Sequence, residues 1–199
     1  MMRARALLVS MLLSAAVLSA RTDVNAVADQ PAAGPLTLSL LRNFTYDLGE
    51  SSSVDGGKVP LVDGQWADPK GGSRFSLLPI HAIGDLDGDG AADAVVVVGE
   101  ASGSTGSFSY MFAILNRNGR PMQPSEPEWL GDRTVVQRLT IESKGVVSIR
   151  FVTHQQGDAA CCPTLKIDDR YRVEGGKLIG ITKQVTLSAP FLHQCRSRC

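Results

Sequence analysis

Hydrophobic and polar positions in this chain follow the period of strands, not of helices. Val147, Ile149, Phe151 and Thr153 alternate with Ser148, Arg150 and Val152, which predicts a strand with one buried face. The pattern returns in 166–174, with Ile167, Asp169, Tyr171 and Val173 on one face and Lys166, Asp168, Arg170 and Arg172 on the other. Residues 94–98 read Ala-Val-Val-Val-Val, a β-branched run that predicts a strand buried on both faces. Residues 75–83 are mostly apolar around Pro79, which suits an edge or bent strand. Residues 108–115 form another strand, ended by the turn signal Asn116-Arg117-Asn118-Gly119.

The remaining segments fit the same scheme. Val135, Leu139 and Ile141 lead into a turn at Ser143-Lys144-Gly145, and Gly175-Gly176 turns the chain back into 178–182. Asn43 to Tyr46 has strand character, and 49–74, rich in Gly, Ser, Asp and Pro, predicts short strands and turns. The Gly/Ser-rich stretch 99–107 reads as a flexible linker, and 126–130 as a short helix. The expected fold is all-β, a single antiparallel β meander forming a small sandwich or partly closed barrel, with few or no helices after the signal peptide.

The N-terminus adds a compartment. Arg3 and Arg5 precede an apolar stretch over 6–20, the layout of a secretory signal peptide and too short for a membrane span. Cleavage after Ala20, Ala26 or Ala28 suits the small residues there. Taken at Ala28, the division is a signal peptide 1–28, a leader 29–35, a β domain 36–182 and a tail 183–199. The chain is then expected to be secreted or periplasmic, with no transmembrane span in the mature part. The whole chain is neutral; losing three Arg and one Asp with 1–28 takes the balance to −2. A near-neutral chain argues against nucleic acid as a partner.

The candidate chemistry lies in 84–98, Gly-Asp-Leu-Asp-Gly-Asp-Gly-Ala-Ala-Asp-Ala-Val-Val-Val-Val. Asp85, Asp87, Asp89 and Asp93 stand at positions 1, 3, 5 and 9 of a loop with Gly90 at position 6. Alternate carboxylates with a turn glycine are the spacing of an oxygen-ligand calcium site, to which the Ala91 carbonyl adds a ligand. No Lys or Arg falls between Arg74 and Arg117, so these carboxylates repel one another unless a cation sits among them. An EF-hand needs a Glu at position 12 and a following helix. Position 12 here is Val96, inside the apolar run, so the loop leads into a strand and Asp93 is the expected closing ligand. The competing reading is an acidic turn that binds nothing.

All four cysteines lie late in the chain, at 161, 162, 195 and 199. In an exported chain they are disulfide candidates. Cys161 and Cys162 cross-paired with Cys195 and Cys199 is one arrangement. A vicinal Cys161–Cys162 bridge is another, strained because adjacent Cα atoms are about 3.8 Å apart. Free thiols, or a soft-metal site completed by His154, stand as the third. No Gly-x-Ser-x-Gly, His-Glu-x-x-His or Gly-x-x-x-x-Gly-Lys motif occurs, so no enzyme activity is expected.

The acidic loop, Gly103-Ser-Thr-Gly-Ser-Phe108, Leu115-Asn-Arg-Asn-Gly-Arg-Pro121, Leu130-Gly-Asp-Arg133, Thr153-His154 and Asp158-Ala-Ala-Cys-Cys-Pro-Thr164 together resemble a bacterial family. Its members are secreted or lipid-anchored proteins of unknown function that often occur alongside META-type domains. The resemblance spans about 36–182 and implies compartment and fold without an activity. The expectation is therefore a secreted, non-catalytic calcium-binding β module with an envelope or extracellular partner. The alternative is a thiol-redox or soft-metal protein using Cys161, Cys162 and His154.

Overall fold

The computed structural model describes residues 34–49, 52, 54–103, 106–159 and 161–187. The signal segment with its cleavage positions, and Cys195 and Cys199, lie outside the described residues. The fold is all-β with one short helix, and its antiparallel sheets include a curled half-barrel.

The chain enters through helix α1 (Leu38–Arg42), then strands β1 (Thr45–Asp47) and β2 (Lys58–Pro60), which pair as a two-stranded sheet. Next come β3 (Gln65–Ala67), β4 (Ser73–Gly84), β5 (Asp93–Ser102), β6 (Gly106–Arg117), β7 (Arg120–Met122) and β8 (Glu128–Asp132). They form a six-stranded sheet in the order β3-β4-β5-β6-β7, with β8 also paired to β6. Finally β9 (Val135–Ile141), β10 (Val147–Thr153), β11 (Leu165–Glu174) and β12 (Lys177–Leu187) make a four-stranded meander.

Strand β5 is central, between β4 and β6, and Ala94 through Val98 are wholly buried. Its two faces serve two cores. Val95 and Val97, with Met111, Ala113 and Leu115 of β6, pack against Leu139, Val147, Ile149, Phe151, Ile167 and Tyr171 of the four-stranded sheet. Ala94, Val96 and Val98, with Phe112 and Ile114, pack against Leu41, Tyr46, Val59 and Leu61 of the N-terminal segment. The β-branched run suits this position because both sides of the pleat are dry. Tyr46 sits at the hub of the second core, its ring 4.9 Å from that of Phe112 and its hydroxyl donating to the Leu41 carbonyl at 2.8 Å.

Three expectations are corrected. The segment 126–130 is not helical; it enters strand β8, with Trp129 paired to Tyr110. The helix lies instead at Leu38–Arg42, capped by the Thr37 hydroxyl, and is too short to show a helical period in sequence. The segment 99–107 is not a linker. Both strands continue into it, with Gly99 paired to Ser109 and Glu100 to Phe108. The last strand runs beyond 182 to Leu187. Pro79 does fall in a bend, between the pairings of Leu77 and His81 with β5, where a residue without an N–H costs no ladder bond.

Candidate metal centre

The acidic loop is the connection of the β4–β5 hairpin, which Gly84 and Asp93 close as cross-strand partners. Gly88 and Gly90 both have φ of +83°, a region where a side chain is strained. Leu86, 2% exposed, plugs the loop into the first core.

The carboxylates first organise their own loop. Asp85 accepts from Gly88 N at 2.7 Å with one oxygen and from Gly90 N at 3.0 Å with the other. Asp87 Oδ1 accepts from Asp89 N, and Asp89 Oδ1 from Ala91 N. The result is a ring of backbone donors that turns the three carboxylates toward one another. Ligand oxygens of Asp85, Asp87 and Asp89 all lie within 4.8 Å of one another. An ion bound at about 2.3–2.6 Å spans that separation from one ligand to the opposite one. The donors are hard oxygens, which suit calcium or magnesium and not soft metals.

Two side chains hold places the sequence did not reveal. Arg117, at the end of β6, reaches the loop: Nη2 lies 2.6 Å from Asp87 Oδ2 and Nη1 lies 2.7 Å from Asp89 Oδ2. Asp87 most strongly, with the charges of Asp89 and Asp93, holds its pKa above the ordinary arginine value against a smaller opposing effect of burial. The loop therefore carries an internal cation, and a metal would share or take those two oxygens. Asp93 stands apart from the cluster. It is wholly buried, and its oxygens accept from Leu86 N at 2.8 Å and Asn116 N at 2.7 Å. Burial pushes its carboxyl up against those two N–H donors, and the charges of Asp87 and Asp89 add to the rise. Ala91 is placed in the loop through its N–H bond to Asp89. Asn116-Arg117 reads in sequence only as a turn; its link to the loop comes from the β5–β6 register, which sets the end of β6 beside the start of β5.

On the far side, the turn 143–145 packs against the same loop. A Cβ on Gly145 would stand 2.4 Å from the Leu86 carbonyl oxygen.

The cysteine region forms a separate feature. Asp158 closes the loop between β10 and β11 by accepting from Gln155 N, Thr164 N and the Thr164 hydroxyl, at 3.0, 2.8 and 2.6 Å. Cys161 and Cys162 bring their sulfurs to 2.9 Å, a contact longer than the roughly 2.05 Å of a disulfide bond. No disulfide joins two described residues. His154 does not gather with these cysteines into a metal-sized group among the described residues.

No family model, curated protein or solved structure matches this chain.

Proposed function

We propose that this protein is an exported, non-catalytic β module whose 85–93 loop takes calcium, in a binding or structural role at the bacterial envelope. The observation that carries this reading is the gathering of three carboxylates, each oriented by backbone N–H groups, within the span of one ion. Bound calcium would supply charge neutralisation and rigidity, not chemistry. Asp85, Asp87 and Asp89 would hold it, while Asp93 and Leu86 anchor the loop to the core. The signal-like N-terminus and the family resemblance support the compartment.

The test is thermal melting of chelator-treated full-length protein with and without calcium. A ligand that binds only the folded state raises the melting temperature by mass action. Calcium should raise it in the wild type and leave Asp85→Asn unmoved. A wild-type curve unchanged at millimolar calcium sinks the reading and leaves an acidic turn neutralised by Arg117.

A further inference from the structure

The second core ends in a cleft unrelated to the acidic loop. The inward face of β5, Ala94-Val96-Val98, continues as Glu100 and Ser102. Cross-strand pairing sets Phe108 opposite Glu100, Trp129 opposite Tyr110, and Ser73 opposite Ser102. Phe108 and Tyr110 are two residues apart on β6 and so share this face. All six side chains line one open cleft of about 620 Å³, a size suited to a small molecule. Trp129 is 60% exposed there, although an indole usually buries most of its surface.

The polar floor has a definite polarity. Glu100 is 2% exposed. Its Oε1 accepts from the Ser73 hydroxyl at 2.8 Å and its Oε2 from the Tyr110 hydroxyl at 2.9 Å. Each hydroxyl has one hydrogen, so both now offer only lone pairs to the cleft. Burial, with Glu100 beside it, pushes the Tyr110 hydroxyl above its ordinary value and keeps it protonated as a donor. Among the described residues that line the cleft, Glu100 is the one charged side chain. An anionic ligand would meet that carboxylate. A sugar finds acceptors for its hydroxyl hydrogens but few donors for its oxygens. A ligand with N–H donors and positive charge satisfies the floor, and the aromatic faces attract it as well, the indole most strongly.

We propose that this cleft binds a small organic ammonium, with the cation toward Glu100 and its apolar body against Trp129, Tyr110 and Phe108. The test titrates the full chain by calorimetry with benzylammonium, with benzyl alcohol as the neutral ligand of similar shape, and with N-acetylglucosamine. Benzylammonium should bind saturably and at least about tenfold tighter than benzyl alcohol, the scale of a desolvated cation–aromatic contact. Trp129→Ala should weaken it by about tenfold, and Glu100→Gln should remove the preference for the cation. If Glu100→Gln fails to fold, the exposed Trp129 position still decides the matter. Absence of benzylammonium binding, equal affinity for benzyl alcohol, tighter binding of N-acetylglucosamine, or an affinity unmoved by Trp129→Ala would each overturn the proposal.

Discussion

The backbone N–H of Asn116 donates to the buried carboxylate of Asp93 at 2.7 Å. That bond ties the end of β6 to the first residue of β5, while the other Asp93 oxygen holds Leu86 in the loop. Asp93→Ala should strand two buried donors and lower stability by about 2–4 kcal/mol. Urea unfolding measures this; a loss within the scatter of surface substitutions would show the anchor to be idle.

A metal in the loop would meet Arg117 at the Asp87 and Asp89 oxygens it already holds. Arg117→Gln should lower the melting temperature of the metal-free protein slightly, because pairs this exposed contribute at most about 1 kcal/mol. The same substitution should enlarge the rise that calcium produces. Paired melts with and without calcium check both halves, and a smaller rise would mean the guanidinium assists the metal.

Gly145 should not tolerate a side chain. Its φ is +67° and a Cβ would strike the Leu86 carbonyl. Gly145→Ala should therefore cost at least about 1–2 kcal/mol from backbone conformation alone. Because the pressure falls on the acidic loop, calcium affinity should drop in parallel. A stability loss with unchanged affinity would separate the two.

Asp158 predicts a local response to acid. Burial raises its pKa, but the Thr164 hydroxyl, the N–H groups of Gln155 and Thr164, and nearby His154 together hold it below the usual value. A lowered carboxyl adds stability above its unfolded value, near about 3.9, and loses it as pH falls through the folded value. Amide protection in 154–159 and 161–164, taken against the intrinsic exchange rate, should therefore fall in strong acid, and Asp158→Asn should show low protection already at neutral pH. Protection unaltered by that substitution would refute the role.

Much of the fold was legible because its strands keep strict alternation. The faces of β10 and β11 follow from Val147, Ile149 and Phe151 and from Ile167, Asp169, Tyr171 and Val173, all buried on the predicted side. Central placement of 94–98 follows from its apolar run. What stayed hidden depends on register. The helix at Leu38–Arg42 spans too few residues for a period, and the strand ends at 99–102 and 106–107 are spelled largely with Gly and Ser, so only their pairing reveals them. At the candidate metal site, the spacing of Asp85, Asp87 and Asp89 was readable. Arg117, Asn116 and Gly145 were not, because they arrive from the end of β6 and from the turn between β9 and β10. The cleft around Glu100 assembles from four strands, and local spacing carries no trace of it.

The strip Ala94–Val98 has consequences for how the chain must come together. Its even-numbered side chains need 36–61, and its odd-numbered ones need 139–173. Neither flank can shelter the strip alone, so removing either leaves a flat, β-branched surface open to water. Such surfaces pair readily with other strands. A shortened chain at either end should therefore precipitate instead of yielding a smaller domain. During synthesis the strip must also wait for residues far downstream, which makes assembly slow.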